Sequence, residues 1–361
     1  MKKRQRIRFG ARIFLRSHEP FRNIIQRAQI CEKYDFDSVF IDDHLLYGTG
    51  EASAPEPFTA LTALALQTRR IRVGIAVTDL VRRHPAIVAQ AAATLANIAP
   101  GRVFLGLGAG DPMNQAPFGL PTQHRYGKLE EGLKVLRMLW ASSIENPVRF
   151  KGRFFKLNNA YLQTGQPDDR PIPVYLAAFG QKMLQLAGKE ADGWVPHCHT
   201  PKTYRDDLKI VHDAARDAGR SMNDFSPGYY TLASASTNRG VADTNVLGPA
   251  RYFLALIPEA LRKVDPSAHH PGRIWEKMNI PKRQRETIRE IASTIPSETA
   301  LNTVIHGTPD DCVEQVSRFQ KAGCREMMLT FVPQDGLWST RGLLSSIRFF
   351  ADRVLSHFSD G

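Results

Sequence analysis

Residues 103–119 read VFLGLGAGDPMNQAPFG, an apolar run closed by glycines at 106, 108 and 110. Its glycine spacing separates a dinucleotide-binding sheet from other α/β architectures. A dinucleotide fingerprint needs G-x-G-x-x-G opening a helix directly after a strand, with an acidic residue about twenty positions further on. Here the spacing is G-x-G-x-G, and Asp111-Pro112 follows in place of a first helical turn; the next amphipathic stretch begins near Tyr126. The Rossmann reading fails on spacing and on context. What remains is a strand end that approaches something closely, where side chains obstruct, followed by an acid. Inward-facing glycines of ordinary barrel packing give the same pattern.

Working outward, the chain alternates short β-rich runs with stretches of helical period. RIRFGARIFL, SVFIDD, IRVGIAVTD, RVFLGLGAG, IPVYLAA, GWVPHC, GYYTLASAS and EMMLTFV read as strands. Between and after them lie amphipathic segments such as FRNIIQRAQICEKY, with Ile24, Ile25, Ala28 and Cys31 on one face, and YGKLEEGLKVLRMLWAS, striped by Leu129, Leu133, Leu136 and Trp140. Pro85 suits a first helical turn. Eight strands, each followed by a helix, predict a (β/α)8 TIM barrel with insertions rather than a doubly wound sheet. The mostly apolar strands suit parallel pairing buried on both faces. Residues 1–361 form a single domain in this reading, with a hairpin excursion around Gly152 in about 143–170 and a helical βα-loop insertion in about 239–300.

Composition agrees with a folded enzyme-sized chain. Of 361 residues, 42% are hydrophobic and 23% charged, enough to bury a large core. No run of 18 apolar residues spans a membrane, and the basic start MKKRQRIRFGARIF lacks the apolar segment of a secretory signal. Cys31, Cys198, Cys312 and Cys324 are far apart with no C-x-x-C, the pattern of reduced thiols in a cytoplasmic protein. The net charge of +12 comes from Lys and Arg spread along the chain, not from a basic run interleaved with aromatics. That argues against nucleic acid and for an anionic small-molecule ligand.

In such a barrel, functional groups gather where strands end and βα-loops begin. Strand one ends near Arg16, Ser17, His18 and Glu19; strand two in Asp42, Asp43 and His44; strand three in Thr78 and Asp79, then Arg82, Arg83 and His84. Strand four ends in Asp111 with Asn114 behind it, and strand six runs into His197, Cys198 and His199. Asp43-His44 is the sharpest pair, because a carboxylate beside an imidazole can orient it for general acid–base work. The competing reading is a turn cap beside a rim histidine. Metal is a further alternative: His197 and His199 sit on one face of the predicted strand and share ligand types with Asp42, Asp43 and His44, but without H-E-x-x-H or C-x-x-C spacing. At strand five, the small residues Ala177, Ala178 and Gly180 precede a helix whose free N–H groups suit a phosphate, as does any ordinary helix entry.

Taken together, FIDDHLL, VGIAVTDLVRRHPAIVAQAAATLANIAPGRVFLGLGAGDPMN, VYLAAFGQKMLQLAGKEADGWVP and HGTPDDCVEQVSRFQKAG resemble the luciferase-like monooxygenase superfamily. More narrowly they look like its branch dependent on coenzyme F420, nearest to phthiodiolone ketoreductase and methylenetetrahydromethanopterin reductase-like proteins. The resemblance implies a deazaflavin ring in the barrel mouth, a cytoplasmic enzyme, a small-molecule substrate and a homodimer. It places Asp43 and His44 beside the reactive ring. It matches Ala76-Val77, with Thr78 beside them, to a strand-three bulge that often holds a non-proline cis peptide. Gly108 ends the bare strand facing the ring, Asp111 matches the acid that follows it, and Asn114 the following asparagine. Ala177, Ala178, Phe179, Gly180 and Gln181 match the phosphate-holding turn.

Departures matter. The glucose-6-phosphate dehydrogenase relatives have Glu where Asp111 stands, Trp near Tyr47, and two adjacent glycines where Phe179-Gly180 stand, so sugar-phosphate specificity does not carry over. The expectation is hydride transfer between the ring's C5 and a carbonyl, alcohol or imine carbon. His44 serves as acid–base group oriented by Asp43, and Asp111 as second proton donor or ring contact. An FMN-dependent monooxygenase, a metal-dependent barrel hydrolase using Asp43, His44, His197 and His199, and a cofactor-free binding relative remain as alternatives.

Overall fold

A computed structural model of the chain describes residues 6–16, 19–47, 52–164, 171–270, 281–334 and 339–359. Ser17 and His18 fall outside these, as do parts of the hairpin and insertion segments (165–170 and 271–280).

Eight strands close on themselves in parallel: β1 Arg8–Arg12, β2 Ser38–Ile41, β3 Arg72–Asp79, β4 Val103–Gly108, β5 Val174–Leu176, β6 Gly193–Trp194, β7 Ser226–Ala235 and β8 Glu326–Phe331. Each pairs with the next, and β8 returns to β1 through the register Phe9–Met327 and Ala11–Leu329. The strands are buried on both faces, which is why their sequences read as nearly continuous apolar runs. Inward residues Phe40, Phe104, Tyr175, Val195 and Met328 fill the barrel.

The expected helix follows each strand: α1 Arg22–Lys33, α2 Pro57–Gln67, α3 Pro85–Ile98, α4 Arg125–Trp140, α5 Gln181–Glu190 and α6 Pro201–Asp217. After β7 come α7 Arg239–Leu256, α8 Pro258–Val264, α9 Pro281–Thr294 and α10 Ser297–Leu301; α11 Pro309–Lys321 and α12 Thr340–Arg353 flank β8. Proline opens several of these helices, where its missing N–H is no loss. Helices α7 to α10 share a cluster of Val246, Leu254, Leu261, Ile288 and Ile295 with Leu232 and Val332 of the barrel. That packing brings α7 over the mouth. The hairpin pairs Val148–Lys151 with Lys156–Ala160, and Glu131 of α4 accepts the backbone N–H groups of Arg153, Phe154 and Phe155 at its turn.

Three features differ from the sequence expectation. A short strand, Ile305–Gly307, pairs with the end of β7; with one apolar side chain in three residues it has no readable period. β6 is only two residues long, and the chain turns at Cys198, whose φ is 59°. His197 and His199 therefore do not lie on one strand face. Finally, the glycines of the opening stretch have a steric cause. The register of β3 against β4 shifts between Ile75 and Thr78, around a cis Ala76-Val77 peptide. A Cβ on Gly106 would stand 2.4 Å from the Ile75 carbonyl oxygen, and one on Gly108 2.9 Å from Val77 Cγ2. β4 is bare because the bulge of its neighbour occupies that space.

Candidate active site

The strand ends surround a cavity of about 1870 Å³. Its lining includes Asp43, His44, Ala76, Val77, Thr78, Gly108, Asp111, Ala177, Phe179 and Gly180, so most of the residues singled out from the sequence meet in one place. Asn114 and Ala178 are buried behind the wall, and Gln181 is exposed on the first turn of α5. Glu19 is turned to Arg27 and Asn23.

Asp43 is the structural centre of one wall. Its carboxylate accepts hydrogen bonds from Thr78 Oγ1 (2.5 Å), Arg83 Nε (3.0 Å) and Arg82 Nη1 (3.1 Å). Arg82 also donates to the Asp43 carbonyl (2.6 Å) and to Asp79 (2.5 Å). Burial alone raises the Asp43 carboxyl, but the Arg83 hydrogen bond, the Arg82 charge and the Thr78 hydroxyl bring it below the usual carboxylate range. Asp43 therefore does not orient His44 as expected, because these partners take its oxygens.

His44 is held from the other side. Asn114 Nδ2 meets its Nδ1 at 2.9 Å, its ring stacks on Tyr47 at 4.8 Å between centroids, and its Nε2 lies 4.0 Å from Asp42 Oδ2. Asn114 sits on a short 3₁₀ turn, Pro112–Asn114, capped by Asp111 Oδ1 accepting from the Met113 N–H. Asp111 Oδ2 accepts from Asn114 Nδ2 at 3.2 Å.

Beneath the ring lies a pair the sequence reading missed. Arg12 of β1 forms a buried ion pair with Asp42, whose Oδ2 also accepts from Tyr47 Oη at 3.2 Å. Burial lowers the Arg12 guanidinium and the Asp42 charge more than restores it, so it stays charged. Its only signal was a second arginine closing β1, four residues after Arg8. Tyr230 of β7 completes this part of the mouth, with Thr330 donating to its hydroxyl at 3.0 Å.

The facing wall is apolar. Phe179, His197 and Phe253 meet edge to face, with His197 5.0 Å from Phe179 and 5.8 Å from Phe253, and Tyr252, Leu256 and Ile257 extend it. Burial, and then the neighbouring His199, push His197 down to about 3, so it is neutral here. His199 is turned away, bonded to Asp207 at 2.9 Å. Among the described residues no three His, Cys, Asp or Glu side chains gather to hold a metal ion.

The geometry fits a flat ring with an anionic tail. The β3 bulge and Gly108 make a wall without long side chains, and α5 begins at Gly180 with no side-chain cap. Its first N–H groups thus point toward the cavity end without helical partners. A Cβ on Gly180 would meet nothing within 4 Å, so that approach is open.

The family model described as luciferase-like monooxygenase matches residues 7–326. An F420-dependent glucose-6-phosphate dehydrogenase of Nakamurella multipartita is 30% identical over 334 residues, covering 89% of this chain and 90% of that protein. A phthiodiolone/phenolphthiodiolone dimycocerosates ketoreductase of Mycobacterium tuberculosis is 31% identical over 280 residues, covering 76% and 73%. Among solved structures, an F420-dependent secondary alcohol dehydrogenase in complex with an F420-acetone adduct superposes with a TM-score of 0.79 at 24% identity, over 97% of this chain and 99% of that one. A coenzyme F420-dependent tetrahydromethanopterin reductase of Methanopyrus kandleri gives 0.78 at 22%, over 98% and 100%. The chain belongs to the luciferase-like monooxygenase family.

Proposed function

We propose that this member of the family is a coenzyme F420-dependent oxidoreductase acting on a carbonyl, alcohol or imine substrate. The observation that carries the reading is one cavity wall on which the β3 bulge, bare Gly108 and His44 stand together. Relatives named as F420-dependent cover most of the chain. When bound, the coenzyme supplies a deazaflavin C5 that gives or takes a hydride.

The chain's residues supply the rest. Ala76, Val77, Thr78 and Gly108 flank the ring, and Asp43 keeps Thr78 and the two arginines in place. Ala177, Phe179, Gly180 and the first turn of α5, with Gln181, receive the phosphate, and the buried Ala178 carbonyl fixes this junction by accepting from Trp194 Nε1 at 2.9 Å. His44 faces the substrate oxygen as a hydrogen-bond donor, and Asp111 stands at the rim as proton donor or ring contact. Phe179, His197, Tyr252 and Phe253 shape the substrate side. The four cysteines are free and buried, which supports a reducing cytoplasmic setting. A homodimer belongs to the same reading, to be checked by light scattering. Among the described residues no helix is long and apolar enough to cross a membrane.

Titrating the purified protein with oxidised F420 and, separately, FMN tests the cofactor. Saturable quenching or polarisation of F420 fluorescence is expected. Stoichiometric FMN binding without F420 binding overturns the reading in favour of a flavin monooxygenase.

A further inference from the structure

We infer that Asn114 fixes the tautomer of His44, so that the ring meets the cavity as a neutral Nε2–H donor rather than as a proton acceptor. Asn114 is fully committed. Its Oδ1 accepts from the backbone N–H of Leu45 at 2.7 Å and of Leu46 at 3.0 Å. Backbone N–H groups only donate, so the atom they meet is the amide oxygen, and the amide orientation follows without choice. Nδ2 then has two hydrogens for two acceptors, Asp111 Oδ2 at 3.2 Å and His44 Nδ1 at 2.9 Å. A proton on Nδ1 would set donor against donor. Turning the amide over to receive it would strand two backbone N–H groups beside a residue with 1% of its surface exposed.

The imidazole proton therefore sits on Nε2, the nitrogen not bonded to Asn114 and 4.0 Å from Asp42 Oδ2, on a ring that lines the cavity. Accepting a proton from an alcohol there requires a lone pair on Nε2, which this arrangement denies. Giving that proton away completely would leave an imidazolate. His44 thus acts by holding a hydrogen bond to the oxygen on which charge develops, while the proton that balances the hydride passes to or from solvent water in the open cavity, and Asn114 is its positioning residue. Besides its place at the rim, Asp111 bears on His44 through Asn114, since its carboxylate takes the second amide hydrogen. The consequence for turnover rests on the reading proposed above, whereas the tautomer itself does not.

The test is imidazole ¹⁵N NMR on the coenzyme-free protein, with His44 assigned by its loss in His44→Gln. The expected result at neutral pH is a pyridine-like Nδ1 and a pyrrole-like, protonated Nε2. Asn114→Asp keeps an acceptor for Leu45 and Leu46 but offers Nδ1 an acceptor instead of a donor, so Nδ1 should become protonated. A protonated Nδ1 in the wild type overturns the lock while leaving F420 dependence standing; failure to bind F420 does the reverse. Turnover supplies the second arm. His44→Gln retains an amide donor at the Nε2 position and should exceed His44→Ala by about 10-fold or more, where loss of the donor costs about 10²–10³-fold. Equal loss in both variants overturns the donor role.

Discussion

The two ends of the barrel both hold buried charge, and they use it differently. At the floor, Glu326 opens β8 with 0% of its surface exposed. Its carboxylate meets Arg8 Nη2 at 3.1 Å, Arg72 Nη1 at 3.5 Å, the hydroxyls of Ser38 and Ser226 at 3.2 Å each and Tyr175 Oη at 3.4 Å. Every partner comes from the chain itself. At the mouth, the Arg12–Asp42 and Asp43–Arg82–Arg83 groups are matched in the same way, but the His44 Nε2 is left toward a cavity. Matched charge holds strands together; a donor aimed into open space waits for a ligand.

Glu326→Ala should break the floor most severely. It strands two arginines around a buried site, which costs about 3–5 kcal/mol of stability by urea unfolding, while the protein that remains folded keeps its coenzyme affinity. His44→Ala is the counterpart at the mouth. Its ring is partly exposed to the cavity, so stability should hold while kcat falls about 10²–10³-fold, equivalent to about 2.7–4 kcal/mol in the transition state. Equal effects of both changes on both readouts would erase the distinction. Thr78→Val tests a residue placed between the two roles. Loss of its 2.5 Å hydrogen bond to charged Asp43 should lower stability by about 1.5–3 kcal/mol and weaken coenzyme binding together.

Acid loosens the carboxylates of both ends alike and sets one mouth residue, His197, apart. Burial opposes ionisation of Glu326, but Arg72, Arg8, Ser38 and Ser226 more than offset it, and Asp43 is likewise lowered. Their stabilisation is present above the unfolded carboxylate value of about 4 and is lost as pH falls through the lower folded values. His197 works in the opposite sense: it is pushed down to about 3, so only the unfolded chain takes the proton. Stability should begin to decline already as pH drops through about 6.5. His197→Asn should flatten that upper part of the profile in thermal melts and leave the acid limb. Gly180→Ala carries the smallest effect on folding: with φ at −87° and open space around it, stability should move by no more than about 0.5 kcal/mol, and any loss should fall on coenzyme affinity alone.

Much of this was legible in the sequence. The barrel followed from the alternation of periods, the gathering of residues 43, 44, 78 and 111 from the rule that strand ends converge, and that of 177 and 180 from the small residues before a helix, whereas 76, 77, 108 and 179 were marked only by the family resemblance. What stayed hidden was pairing across strands. Arg12 and Asp42 lie on neighbouring strands with no sequence mark of their contact, and Asp43 was assigned to His44 because they are adjacent. Adjacent residues leaving a strand point apart, so His44 found its partner seventy positions on, in Asn114. The glycines of residues 106 and 108 announced a close approach but not its cause, which is the bulge of another strand.

The mouth is read as the place where a hydride passes to or from an organic substrate. Mixing the protein anaerobically with reduced F420 and a panel of ketones and imines, and following the reappearance of the oxidised coenzyme's absorbance, tests it most directly. Reoxidation is expected without oxygen, matched by an equal amount of alcohol or amine, and slowed in His44→Ala. Reoxidation that occurs only when oxygen is admitted, with an oxygenated product, would contradict it.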